Sequence, residues 1–188
     1  VLGLLVITSI MLLKACSSAS SQQVNILNDT TLTEIQKRFA SNALKGLVIS
    51  PGLQIQTMAT EPTLINPTNI DVDETGRVWV TEAYNYRFQI NNNKPRTEGD
   101  RILILEDKDG DGHLETSKVF YQGPELNAPL GIAVLGNRVI ISQSPYVWIF
   151  YDDNGDDKAD RKEILFQGIG GEQHDHGMHS FTFGPDGK

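Results

Sequence analysis

The chain has 188 residues, of which 39% are hydrophobic and 21% charged, with 17 glycines and 8 prolines. This composition excludes a disordered acidic chain, a collagen-like repeat and a coiled coil. The formal net charge of −8 argues against nucleic acid as a partner, because binding phosphates needs a basic surface. The single cysteine excludes an intramolecular disulfide and a cysteine-based zinc site.

The first residues of the chain predict export. Residues 1–13 are almost wholly apolar. They are too few to span a bilayer, which takes about 20 residues, and they fit the apolar core of a signal peptide over residues 1–15. Cys16 follows and is succeeded by a run of Ser, Ala and Gln, which resembles a bacterial lipoprotein signal and its tether over residues 16–30. We expect a protein of the cell envelope or periplasm, anchored to the membrane by lipidation of Cys16. The alternative is an ordinary signal peptide with an incidental cysteine.

The next segment, residues 31–50, is expected to contain one short packing helix without chemistry. Thr31 and Glu34 have the spacing of a capping box. Over residues 31–45 the apolar side chains fall on one face, namely Leu32, Ile35, Phe39 and Ala43.

From residue 53 the hydrophobic period changes to two, which predicts β-strands, the first over residues 53–59. A unit then recurs, starting at Ile70, Ile132 and Phe181. Each complete unit reads as two strands around a tight turn, then a strand, an Asp-rich turn and a fourth strand. This repeat is typical of the blades of a β-propeller. We predict an all-β propeller over residues 51–188, with two complete blades and half of a third. The chain begins without methionine and ends within the third unit, so we expect truncation at both ends.

The densest polar cluster lies in the loop that leads into the third unit. It contains three of the four histidines and a carboxylate: His174, Asp175, His176 and His179. In a propeller such a loop lines the central channel, where histidine can take a proton from an alcohol and a neighbouring carboxylate can orient it. The three imidazoles could instead bind a transition metal, or the loop could be solvated and without chemistry.

Each complete unit also contains an Asp-rich turn. Carboxylates and an amide stand at alternate positions, Asp107, Asp109 and Asp111 in the first turn and Asp152, Asn154 and Asp156 in the second. Such side chains can converge on Ca²⁺. Neither turn is an EF-hand, because Lys118 stands at the twelfth position of the first and Asp157 replaces the required glycine in the second. The other interpretation is a tight hairpin whose side chains bind the local backbone.

The region from residue 51 onward resembles a known family. The resemblance is carried by residues 51–53, 66–82 and 99–107 and by the Asp-Gly turns, which look like the membrane-bound dehydrogenase domain of PVC-group bacteria. That family is similar to the soluble quinoprotein glucose/sorbosone dehydrogenases. The resemblance implies a six-bladed propeller that uses pyrroloquinoline quinone (PQQ) and Ca²⁺.

The resemblance also implies roles for individual residues. Asp175-His176, followed by Gly184-Pro185-Asp186, resembles the start of the third blade in the sugar dehydrogenases. It implies that His176 is the base that deprotonates the sugar hydroxyl during hydride transfer, with Asp175 beside it. Leu126 occupies the place of a polar substrate contact, which leaves Asn127 as the polar candidate there. The residues themselves, apart from the resemblance, add His174, His179 and Glu82 to the expected binding set. Glu82 ends the strand containing Trp79 and could instead form an ion pair on the surface.

The sequence therefore predicts an exported, lipid-anchored propeller that oxidises a sugar or alcohol with PQQ and Ca²⁺ and passes electrons to a partner such as a cytochrome. One alternative is a non-catalytic propeller that binds carbohydrate or protein. The other is a propeller that binds a transition metal through its histidine cluster.

Overall fold

The computed structural model describes residues 26–37, 39–87, 94–170 and 176–186. The predicted signal peptide, Cys16 and most of the tether lie outside the described residues, as do His174 and Asp175. Within the described ranges, no helix has the length and apolar character that crossing a membrane would take.

The predicted helix over residues 31–45 is present only as short pieces. A four-residue α-helix, α1, spans Glu34–Lys37, and 3₁₀ turns span Ile26–Asn28 and Ala40–Asn42. The chain therefore turns too often in this segment to present the single apolar face that the sequence suggested.

The capping box of α1 lies two residues after its predicted place. The Thr33 hydroxyl accepts the Gln36 N–H at 3.2 Å, and Gln36 Oε1 accepts the Thr33 N–H at 2.8 Å. Thr31 is not available for this role, because its N–H and hydroxyl both donate to Asp29. The reciprocal pattern is that of a capping box, with glutamine in the distal position.

Eight strands form two antiparallel four-stranded sheets, each ordered as in the chain. The first sheet consists of β1 (Pro67–Val72), β2 (Val78–Glu82), β3 (Arg101–Glu106) and β4 (Thr116–Gln122). The second consists of β5 (Gly131–Leu135), β6 (Arg138–Gln143), β7 (Tyr146–Tyr151) and β8 (Arg161–Gln167). The prediction of an all-β fold built from four-stranded blades is thus confirmed for two blades. Residues 180–183, the expected first strand of a third, are not paired as a strand.

The two sheets pack face to face with their first strands adjacent. β1 lies beside β5, and the Val134 N–H donates to Asp71 Oδ2 at 2.7 Å across this contact. The core between the sheets is wholly apolar at its centre and is made of Trp79, Ile102, Ile104, Phe120, Leu126, Ile132, Val139, Ile141 and Phe150. Trp79 and Phe120 meet edge to face, with ring centroids 4.9 Å apart. Burying a large aliphatic or aromatic side chain of this kind stabilises the fold by about 1.5–3 kcal/mol.

Strand β3 is buried on both of its faces. Ile102 and Ile104 face the second sheet, whereas Leu103 and Leu105 belong to a separate cluster on the other side of the first sheet. Ala59 and Leu64 pack against that second cluster. This double burial explains why β3 is a continuous apolar run and does not alternate.

The segment predicted as a strand over residues 53–59 is extended but pairs with neither sheet. It runs instead beside the turn that follows β3. The Leu114 N–H donates to the Met58 carbonyl at 2.9 Å, and Gln56 Nε2 donates to the Asp111 carbonyl at 3.1 Å. Leu53 and Ile55 are exposed, so the alternating pattern does not mark a buried face in this segment.

The antiparallel order gives each blade two distinct ends. We call the end that holds the starts of β1 and β5 the loop end. It carries the β6–β7 turn and the described connecting residues 83–87, 94–100, 123–130, 168–170 and 176–179. The opposite, turn end carries both Asp-rich turns. Strand β3 has six residues, so the two ends are about 20 Å apart.

Candidate functional site

Four of the predicted binding or catalytic residues lie at the loop end. Asn127, His176 and His179 are exposed there, whereas Glu82 is fully buried. The two remaining members of the predicted set, His174 and Asp175, lie outside the described residues.

Glu82 is the centre of a buried ion-pair cluster and does not face a ligand. Its side chain has 0% relative exposure, and both of its oxygens are engaged. Arg101 donates from Nε to Oε2 at 2.6 Å and from Nη2 to Oε1 at 2.8 Å. Arg96 approaches Oε2 at 3.3 Å, and the Ile65 N–H donates to Oε1 at 2.6 Å. The expectation that Glu82 contacts substrate or cofactor is corrected accordingly, since no carboxylate oxygen is open to solvent.

A second buried carboxylate, Asp100, joins two loops at this end and was missed in the sequence. Its Oδ1 accepts the Asn85 N–H at 3.0 Å, and its Oδ2 accepts the Ala128 N–H at 2.7 Å. Burial raises the pKa of Asp100, and the backbone hydrogen bonds from Ala128 and Asn85 oppose that rise. The one signal in the sequence is a carboxylate placed immediately before the apolar run of β3.

The backbone around Asn127 is fixed by two hydrogen bonds to the Gln143 side chain. Its own N–H donates to Gln143 Oε1 at 2.8 Å, and Gln143 Nε2 donates to the Glu125 carbonyl at 2.8 Å. Its neighbours Leu126 and Ala128 are buried. The side chain of Asn127 is therefore directed outward from a fixed loop, where a polar ligand can reach it.

The backbone that carries His176 and His179 crosses the ends of the inner strands. Ser142 donates a hydrogen bond to the Met178 carbonyl, and Asn69 Nδ2 donates to the His179 carbonyl. Gly177 packs closely against Ser144 at the end of β6. His176 is exposed directly before these anchor points. The structure thus brings His176, His179 and Asn127 to one end of the blades.

At the turn end, the first Asp-rich turn binds its own backbone. Asp107 accepts the N–H groups of Gly110 at 2.6 Å and Gly112 at 2.8 Å, and Asp111 accepts the His113 N–H at 2.8 Å. The Gly112 bond, followed by that from Gly110, lowers the pKa of Asp107. Its predicted ligands also converge, because Asp107, Asp109 and Asp111, together with Glu115, place one oxygen each within 4.8 Å of one another. Glu115 was not predicted, since it lies four residues after Asp111, beyond the run of aspartates.

The second Asp-rich turn also binds its own backbone. Asp152 accepts the N–H groups of Gly155, Asp156 and Asp157 at 2.7, 3.2 and 3.0 Å, and Asn154 Oδ1 accepts the Asp156 N–H at 2.9 Å. Among the described residues, only the first turn forms a group of acidic side chains close enough for a metal ion. Asp152 and Asn154 thus bind the local backbone, and the expectation that Asp152, Asn154 and Asp156 bind Ca²⁺ stays a prediction.

Residues 40–188 match the model of a protein family described as a domain of unknown function, DUF7133. The chain belongs to the DUF7133 family. Among solved structures, this DUF7133 chain is similar to the holo form of the pyranose dehydrogenase PQQ domain from Coprinopsis cinerea, with 24% identity and a TM-score of 0.43. The similarity covers 57% of this chain and 22% of that one, so the chain spans about a fifth of the solved domain's length. The comparison with curated proteins gave no match.

The loop end of the DUF7133 chain combines an exposed imidazole, which can accept a proton, with an exposed carboxamide, which can donate and accept hydrogen bonds. His176 and Asn127 supply these groups from separate loops that are each anchored to the sheets. This combination suits a neutral, hydroxyl-bearing ligand. The resemblance to the membrane-bound dehydrogenase domain stays a prediction.

Proposed function

We propose that this DUF7133 chain is part of an exported oxidoreductase that oxidises a hydroxyl group of a sugar or alcohol. The observation that carries the proposal is the placement of His176, exposed at the loop end on a backbone that is anchored to β1 and to the end of β6. Export and the lipid anchor at Cys16 belong to the same proposal, as does an electron-accepting partner such as a cytochrome.

In the proposed reaction, the chain's own residues bind the hydroxyl and take its proton. Asn127 hydrogen-bonds the substrate oxygen, and the His176 imidazole accepts the O–H proton as the C–O bond becomes a carbonyl. When bound, a quinone such as PQQ would supply the acceptor for the C–H hydrogen, which would leave the carbon as hydride with two electrons. General-base assistance of this kind contributes about 10²–10⁴ to the rate.

The described residues match the substrate side of such a site better than the cofactor side. PQQ is a carboxylated quinone, so its site needs cationic side chains. Arg96 and Arg101 are at the loop end, but both are committed to Glu82, and their side chains are only 21% exposed. Neither arginine is therefore assigned to the cofactor.

The calcium part of the proposal is restricted to the first Asp-rich turn. Its support is that one oxygen from each of four side chains lies within 4.8 Å of the others, those of Asp107, Asp109, Asp111 and Glu115. This turn is at the opposite end of the blade from His176, so Ca²⁺ there would act on stability. If the proposal holds, Ca²⁺ raises the Tm of the full-length protein and Asp109→Asn abolishes that rise. A Tm independent of Ca²⁺ would remove calcium from the proposal.

The test of the enzymatic proposal uses the full-length protein supplied with PQQ and Ca²⁺, a panel of sugars and alcohols, and a redox dye. We expect dye reduction with at least one substrate and a loss of about 10²–10⁴ in kcat for His176→Gln. The matched control is His113→Gln, which alters an exposed histidine at the turn end and should leave turnover unchanged. Sugar binding without dye reduction would instead identify a non-catalytic carbohydrate-binding propeller.

The anchor is tested separately by fractionating cells that express the protein with Cys16 or with Cys16→Ser. We expect the wild type in the membrane fraction and the variant released from it. Retention of both in the membrane fraction would contradict lipidation at Cys16.

A further inference from the structure

We infer that Gly177 is a positioning residue for the base: the close approach of the Ser144 hydroxyl leaves room only for glycine at position 177, and any side chain there would push His176 out of place. The role of His176 as a base rests on the proposed function. The contact between Ser144 and Gly177 does not, and it can be tested without any substrate.

The Ser144 hydroxyl lies against the backbone on both sides of the histidine loop. Ser144 is 8% exposed, and within the described residues its Oγ has no hydrogen-bond partner. A Cβ placed on Gly170 would lie 2.3 Å from this oxygen, and one placed on Gly177 would lie 2.2 Å from it. The backbone thus approaches Ser144 closely where it enters the loop and again where it leaves.

Space, and not backbone conformation, accounts for the glycine at position 177. Gly170 has a φ of +104°, whereas Gly177 is not among the glycines with positive φ. The next atoms that a Cβ on Gly177 would meet are Leu130 Cδ1 at 3.4 Å and Ser144 Cβ at 3.6 Å, which are ordinary van der Waals distances. Removing the Ser144 oxygen alone therefore makes room for a methyl group at position 177.

A methyl group at position 177 would displace His176 in preference to the residues that follow. Met178 and His179 are tied by their carbonyls to Ser142 and Asn69. His176 precedes these ties, so a shift of the backbone away from Ser144 is transmitted to it. Misplacing a reacting group by about 1 Å can reduce a rate by about 10²-fold.

The experiment compares Gly177→Ala, Ser144→Ala and the double variant in the full-length protein. Imidazole NMR signals of the histidines report position, with His176 assigned by its loss in His176→Gln. Gly177→Ala should shift the His176 signals and lower kcat about 10²-fold with little change in KM. Ser144→Ala should resemble the wild type, and the double variant should recover both the signals and kcat.

The matched control adds Ser142→Ala to Gly177→Ala. This removes a neighbouring hydroxyl without making room at position 177, so it should not restore the His176 signals. Unshifted His176 signals in folded Gly177→Ala, or no recovery in the double variant with Ser144→Ala, would overturn the inference. Full turnover by His176→Gln would overturn the proposed function and leave the packing result intact.

Discussion

The Arg101 guanidinium donates two hydrogen bonds to the buried carboxylate of Glu82, 2.6 Å from Nε to Oε2 and 2.8 Å from Nη2 to Oε1. The pair joins the end of β2 to the start of β3 in the first blade. Bidentate geometry adds directional strength to the charge interaction. Glu82 has no contact with solvent to compensate if its partner is lost.

We therefore predict that Arg101→Ala lowers the free energy of unfolding by about 3–5 kcal/mol, because it leaves a buried charge without its main partner. The control is Arg161→Ala, which removes an exposed pair with Asp153 at 2.7 Å. That change should cost about 0–1 kcal/mol. Urea unfolding of both variants measures the difference, and equal losses would contradict the special role of the buried pair.

Asp73 gives the fold a specific sensitivity to acid. Burial alone would raise the pKa of Asp73, but hydrogen bonds from Trp79, Thr75 and Arg77 outweigh it and hold the pKa well below the ordinary value of 3.8. A carboxylate with a lowered pKa in the folded state stabilises the fold above its unfolded pKa. That stabilisation disappears as the pH falls below about 4.

Asp73→Asn should accordingly destabilise the protein by about 1–3 kcal/mol at neutral pH, since an amide cannot accept all of these bonds. The variant should also lose less stability than the wild type between about pH 4 and pH 2. Urea unfolding at several pH values tests both statements. Glu74→Gln changes the adjacent exposed carboxylate and serves as control; a parallel acid response in wild type and Asp73→Asn would refute the assignment.

Asp100 should stabilise the fold by linking two loops through hydrogen bonds. Its two oxygens accept the Asn85 and Ala128 N–H groups, so in Asp100→Asn an amide NH₂ must face one of these donors. We predict a loss of about 1–3 kcal/mol in the free energy of unfolding. Amide NMR signals of Asn85 and Ala128 should shift, and the signal of Asn127 should move with them. Unchanged signals at all three positions would contradict the proposed bridge.

Leu103 tests the second apolar cluster. It is 0% exposed, in contrast to Leu53, which is 67% exposed. Leu103→Ala should reduce the free energy of unfolding by about 2–5 kcal/mol, through lost burial and the cavity that remains. Leu53→Ala should change it by less than about 0.5 kcal/mol. Similar effects of the two substitutions in urea unfolding would show that the cluster around Leu103 is not a core.

The blades were predictable because their signals are local. Alternating apolar residues and turns with Gly and Asp recur at each unit, and these patterns depend on the near neighbours of each residue. The strand predicted over residues 53–59 fails for the opposite reason. The segment bonds to a turn more than 50 residues away, through the Gln56 side chain and the Met58 carbonyl, and nothing within the segment distinguishes that from pairing in a sheet.

The sequence did not reveal the contacts of the candidate site. His176 and Asn127 are exposed and their roles stay predictions, whereas Glu82 is buried. In the β2–β3 register Thr81 pairs with Ile102, which places Glu82 next to Arg101 across the strands. The sequence does not reveal this pairing, because it does not show where the chain between Glu82 and Arg101 turns back into the sheet. The contact of Ser144 could not have been predicted, because the backbone at Gly170 and Gly177 approaches its hydroxyl and no sequence motif marks that approach.

Because β3 is buried on both faces, it should tolerate few amino-acid substitutions. A strand with one exposed face accepts polar replacements at alternate positions. Along residues 102–105 no such alternation is available, since each position meets packed atoms on its own side. Saturation mutagenesis should therefore show an unbroken block of intolerance in β3, and drift among natural variants should be confined there to exchanges between aliphatic side chains.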